Sequence, residues 1–180
     1  MPGTVPRARV LTYGYDTHIR HQWAGPRVNR NTVYDIAWNL LVALESERRA
    51  EPSRPVLFVV HSLGGIVVKE ALRRSRGCQM GQAHLRGIFE STIGIIFFGT
   101  PHAGADPRTL LHHVAEKVAK AAGLSVNEQI VRALLPSSER LQELRDEFGP
   151  MAQDRGWIIH SFQEQFDVDA LFGKVIISLS

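Results

Sequence analysis

Residues 56–72 read VLFVVHSLGGIVVKEAL. The first five are apolar without alternation, the mark of a strand buried on both faces as in a parallel sheet. From Gly64 to about Ser75 the spacing is helical. Between the two stands His61-Ser62-Leu63-Gly64-Gly65, which leaves room for a tight turn and nothing longer. A serine hydroxyl becomes a nucleophile only when it is aimed and a neighbouring base takes its proton. A strand-turn-helix elbow does the aiming, and small residues beside the serine let strand and helix approach closely. The usual pattern is G-x-S-x-G. Here Val60 stands in the first glycine position, Gly64 in the second, and Gly65 adds further room. Backbone N–H groups at the start of the helix favour negative charge. The N–H of Leu63 is therefore a candidate oxyanion donor. The plainer alternative is a tight turn without chemistry.

Outward from this stretch, the chain alternates. Residues 8–15, ARVLTYGY, are rich in β-formers and read as a strand, and residues 16–30 with Gly25-Pro26 read as a loop. Thr32 and Asp35 form a capping-box pattern. Val33, Ile36, Ala37, Leu40, Leu41 and Leu44 then recur at helical spacing to about Arg49, where Pro52 and Pro55 end the helix. On the other side, residues 92–98, TIGIIFF, predict a second buried strand, followed by GTPHAGAD. Helical periods run over about 107–122 and 125–135. A further helix starts at Ser137 or Ser138 and carries Leu141, Leu144, Phe148 and Met151. Residues 156–162, GWIIHSF, read as a last strand. Residues 76–91 and the tail DVDALFGKVIISLS have no clear assignment. This order predicts one α/β domain over residues 1–180, with a mainly parallel sheet and helices on both faces. In such sheets sites collect beyond the carboxyl ends of the strands, where Ser62, the GTPH loop and Glu164 fall.

A triad in this arrangement has the chain order serine, acid, histidine. Glu164 follows the strand GWIIHSF and is the first candidate for the acid, with Asp167 and Asp169 behind it. A solvated loop carboxylate is the alternative reading of Glu164. No histidine follows His160. His61 adjoins Ser62, and neighbours on an elbow point apart. His102, at the end of the neighbouring strand, is the better local candidate for the base, against a structural role shaping its loop by hydrogen bonds. His112 and His113 lie on a helical stretch and read as surface residues, and His160 lies inside a strand.

HSLGGIVVKEAL, IGIIFFGTPHAGAD, ARVLTYGYDTH and WIIHSFQE together resemble the serine-active-site-containing lipase-like family of α/β-hydrolases. They also resemble the hydrolase-like domain that heads many fungal NOD-like receptor proteins. The resemblance spans most of residues 8–165. It implies an α/β-hydrolase fold with Ser62 as nucleophile and Glu164, at the SFxE position, as acid. It implies ester or lipid chemistry, and a mitochondrial or endoplasmic reticulum setting inside the cell. Family members place an HGLGG-like loop before the strand matching ARVLTYGY and a catalytic histidine after the SFxE strand. Neither is found in these 180 residues, so the chain reads as a domain incomplete at both ends and part of a larger multidomain protein. The strand before ARVLTYGY in that family would lie between the first two strands of this chain. Peripheral membrane association would come from segments outside it. A catalytically inactive hydrolase-fold module for interaction or signalling is the alternative to a serine esterase.

Composition excludes several other classes. The net charge is only +3, and Arg73, Arg74 and Arg76 form the densest basic cluster without interleaved aromatics. That reads as a solvated helix end, and no nucleic-acid partner is expected. The one cysteine, Cys78, forbids an internal disulfide. No apolar run approaches the ~20 residues that span a bilayer. His18 and His21 lack a third ligand nearby, so no metal site is assigned. Triad chemistry requires no cofactor, and none is expected.

Overall fold

In the computed structural model, the described residues are 8–15, 33–79, 81–100, 138–162 and 174–179. They form an α/β fold. In chain order the elements are β1 (Arg9–Gly14), α1 (Val33–Arg48), β2 (Val56–His61), α2 (Leu63–Gly77), α3 (Ala83–Ser91), β3 (Thr92–Phe98), α4 (Ser138–Arg155), β4 (Ile158–Phe162) and β5 (Lys174–Leu179). The sheet order is β1-β5-β2-β3-β4. β2, β3 and β4 are parallel, with α2 and α3 lying between β2 and β3 in the chain and α4 between β3 and β4.

The expected strands at 8–15, 56–60, 92–98 and 156–162 all form, as do the helices expected over 32–49, 64–75 and from Ser138. Two elements go beyond the sequence reading. Residues 83–91 of the unassigned stretch form α3. The tail strand β5 pairs antiparallel with β1 on one side and with β2 on the other. It therefore fills the slot between the first two strands, where the family resemblance puts a strand from outside the chain. β1 has no ladder with β2; its register is held entirely by β5, from Arg9 opposite Leu179 to Gly14 opposite Lys174. The helical periods read over 107–122 and 125–135 and the loop at 16–30 lie outside the described residues.

The described helices share one face of the sheet. Phe58 and Val60 of β2 and Ile95 and Phe97 of β3 point into it and are buried. α2 lays Ile66, Val67, Val68, Ala71 and Leu72 into the same core. α1 contributes Val33, Ile36, Ala37, Leu40, Leu41 and Leu44, the residues its period selected. α4 contributes Leu144, Phe148, Met151 and Ala152. Phe97 and Phe148 meet edge to face, with ring centroids 5.9 Å apart, and Trp157 packs against Phe89 at 5.3 Å. Burying a side chain of this size contributes about 1.5–3 kcal/mol each.

Buried polar groups tie the helices to each other. Ser75 Oγ donates to Leu85 O at 2.6 Å and accepts from Phe89 N–H at 3.0 Å, which pins α3 to α2. The Arg48 side chain, buried at the end of α1, donates to Pro52 O, Arg54 O and Ser91 Oγ and so closes the turn into β2.

Candidate functional site

β2 ends at His61 and α2 begins at Leu63, so Ser62 alone makes the turn. Its backbone sits at φ 50, ψ −123, and it is the one non-glycine residue with positive φ among the described residues. A non-glycine residue held there costs on the order of 1–3 kcal/mol and persists only where its surroundings over-determine it. The surroundings do so. Ser62 N–H donates to Phe98 O at 2.9 Å, and Ser62 O accepts from Gly65 N–H and from Thr100 Oγ1, both at 3.1 Å. Ser62 occupies the N-cap position of α2, yet its side chain makes no capping hydrogen bond.

The N–H groups of Leu63 and Gly64 belong to the first turn of α2 and have no intrahelical acceptor. They lie beside Ser62 at the positive end of the helix dipole, as expected for an oxyanion site. Gly65 is the position of closest approach. A Cβ there would collide with Thr100 Oγ1 and Cγ2 and lie 2.9 Å from Phe97 Cδ1. Val60, in the first glycine position of the pattern, is buried in the core. Ser62 retains 9% of its surface, so the elbow residue is largely covered.

Strand alternation puts His61 on the face opposite Val60, in register with Phe98. His160 stands on the exposed edge strand β4, level with Ile96. Neither is carried to the serine by the strand that holds it. His102 and Glu164, with Asp167, Asp169, His112 and His113, lie outside the described residues. Among the described residues, no group of histidine, cysteine, aspartate and glutamate is arranged to hold a metal ion.

Two buried ionic groups near the elbow escaped the sequence reading. Lys69, one turn beyond Gly65 on α2, is 7% exposed. Its Nζ lies 4.9 Å from the Phe148 ring centroid and 5.3 Å from that of Phe97. Burial holds its ammonium down to about 8. A lysine inside the apolar run IVVKEAL was the signal for it. Glu70 is 2% exposed and binds Arg73 twice and Arg74 once, each at 2.9 Å. Arg74 in turn stacks over Tyr34 and Trp38 of α1. The hydrogen bond to Glu70 is the main reason the Arg73 guanidinium is held above its ordinary range. Arg73 and Arg74 are thus not a simple solvated helix end: they satisfy a buried carboxylate, and the i, i+3, i+4 spacing of Glu70 to both was the legible sign.

Comparison with known proteins finds relatives along most of the chain. The chain is 29% identical over 159 residues to Protein SERAC1 of Bos taurus. It is 29% identical over 160 residues to Protein SERAC1 of Danio rerio, and 26% identical over 159 residues to that of Homo sapiens. Each alignment covers 88% of this chain and 22% of the relative, so the chain spans less than a quarter of the length of the curated relatives it matches. No family model matches the chain. No solved structure matches it. Among the described residues no helix is long and apolar enough to cross a membrane.

Proposed function

We propose that this chain carries the core of a serine hydrolase that cleaves a carboxylic ester, with a lipid or other acyl ester as substrate. The observation that carries the reading is Ser62 at φ 50 between a buried strand and a helix N-terminus that no side chain among the described residues caps. In the proposed mechanism Ser62 Oγ attacks the ester carbonyl carbon, and His102 takes the hydroxyl proton. The Leu63 N–H stabilises the oxyanion of the tetrahedral intermediate. Collapse expels the alcohol, which leaves with the proton from the histidine. Water then hydrolyses the acyl-enzyme by the same route. Glu164 is the acid that would orient the histidine. Attachment to a mitochondrial or endoplasmic reticulum membrane, through segments of a longer protein, belongs to the same proposal; cosedimentation of that protein with vesicles tests it.

The low exposure of Ser62 supports a second reading, a hydrolase fold used for interaction without turnover. Turnover of p-nitrophenyl esters of increasing chain length separates the two. The hydrolase reading expects hydrolysis above background that falls by at least about 10³-fold in Ser62→Ala. Equal rates for wild type and Ser62→Ala would leave the second reading standing.

A further inference from the structure

The segment after β3 reaches back onto the elbow. Gly99 N–H donates to Phe162 O at 2.8 Å, which fixes the end of β3 against β4. At φ 53, Gly99 turns the chain, and Thr100 lands on the strand-helix turn of the neighbouring strand. Thr100 is 4% exposed. Its hydroxyl donates to Ser62 O at 3.1 Å, while Phe98 O of the same segment accepts Ser62 N–H at 2.9 Å. Both backbone polar groups of the strained serine are therefore gripped by residues 98–100. The Thr100 side chain also presses on Gly65 with both its Oγ1 and its Cγ2, filling the space that a Cβ would occupy.

Each part of the threonine has its own contact. The hydroxyl holds the Ser62 carbonyl, and with it the peptide plane that carries the Leu63 N–H. The methyl seals the surface of Gly65. Valine would keep the shape and lose the donor; serine would keep the donor and lose the methyl. A peptide plane at a strained residue relaxes when one of its holds is removed, and Ser62 Oγ and the Leu63 N–H would move together.

We propose that Thr100 is a positioning residue, whose hydrogen bond to the Ser62 carbonyl holds Ser62 Oγ and the Leu63 N–H in the geometry needed for attack. This rests on the reading of Ser62 as a nucleophile. The test measures the second-order rate of labelling by a fluorophosphonate, well below the melting temperature, in wild type, Thr100→Val and Thr100→Ser. Thr100→Val should label about 10- to 100-fold more slowly, the loss that a small misplacement produces. Its melting temperature should stay within a few degrees of wild type, and the pH midpoint of its labelling should not move, since the base is untouched. Thr100→Ser should recover the rate to within about threefold. Thr100→Val labelling at the wild-type rate, or Thr100→Ser falling as far as Thr100→Val, overturns the proposal. Should Thr100→Val not fold, Thr100→Ala, which removes both contacts without a clash, takes its place with the same expectation. Hydrogen exchange of the Ser62 and Gly65 amides reads the hold without any reactivity. It should quicken by about tenfold or more in Thr100→Val, with the β2 amides unchanged. Unchanged exchange at these two amides overturns the positioning role, even for a serine that proves unreactive. A wild-type chain that is never labelled, yet shows the faster exchange in Thr100→Val, counts against the nucleophile and leaves the hold standing.

Discussion

The two halves of the sheet are built on different terms. β2, β3 and β4 are joined in chain order through helices that pack on the same face, α2 and α3 between β2 and β3 and α4 between β3 and β4, so neighbours in sequence are neighbours in space. Phe58, Val60, Ile95 and Phe97 are buried beneath those helices. In the other half, β1 reaches the sheet only through β5, a strand from the far end of the chain. Leu11 and Tyr13 pack on the core only partly buried, and Val10 is exposed. The parallel half carries the elbow and is held by local crossovers. The antiparallel half is held by one long-range insertion, whose chain-entropy cost is larger and whose loss frees a whole strand.

Deleting residues 174–180 is the strongest way to break this comparison. The amides of Arg9–Gly14 should then lose their exchange protection and approach the rates of an open loop. Those of Val56–Val60 and Ile95–Phe97 should keep most of theirs. Equal loss in both halves would show one cooperative sheet with no such division. Phe97→Ala sharpens the comparison from the other side. It removes the ring that touches Phe148, Lys69 and the Gly65 surface, and should cost about 3–5 kcal/mol in a denaturant titration. A loss under about 1 kcal/mol would mean that the core of the parallel half does not close around Phe97.

A smaller effect is expected at Lys69, in the same half. Burial lowers its ammonium from the usual 10.5 to about 8. Below about pH 8 the residue is protonated in both states, and its desolvation is a constant cost. Between about pH 8 and 10.5 the unfolded chain binds a proton that the folded chain has released, so its contribution to stability improves as pH rises. Lys69→Met should stabilise the chain at pH 7 by roughly 1–2 kcal/mol, the two ring contacts offsetting part of the desolvation. It should also flatten the rise in stability between pH 8 and 10 relative to wild type. Urea midpoints of both proteins across that range check the sign, and a destabilised variant at pH 7 would contradict it.

The same division explains what the sequence made legible. The elbow is a local signal: five apolar residues, a serine and two glycines fall together in residues 56–65, and the structure builds a strand, a strained turn and a helix from them. α1 and α4 were legible because their buried residues recur at one period. α3 was not, because it is only nine residues long, with Gly87 in its middle, and its period rests on Leu85, Ile88 and Phe89 alone. β5 was not, because VIIS has no diagnostic period and its place is set by two distant strands. At the site, Leu63 and the small residues after the serine stand where the sequence put them. Thr100 belonged to the noticed GTPH loop, but its contact with Ser62 joins positions 38 residues apart, which no local pattern encodes. Lys69 and Glu70 were hidden because charge on a helix is ordinarily read as surface.

The central claim is that Ser62 is an aimed and reactive nucleophile. Its most direct test is to treat the folded 180-residue chain with a fluorophosphonate and locate the adduct by peptide mass, beside Ser62→Ala. The account predicts one adduct, on the peptide holding His61-Ser62-Leu63, and none on the Ser62→Ala chain. A chain that melts cooperatively and carries no adduct, or carries it on another serine, would contradict the claim.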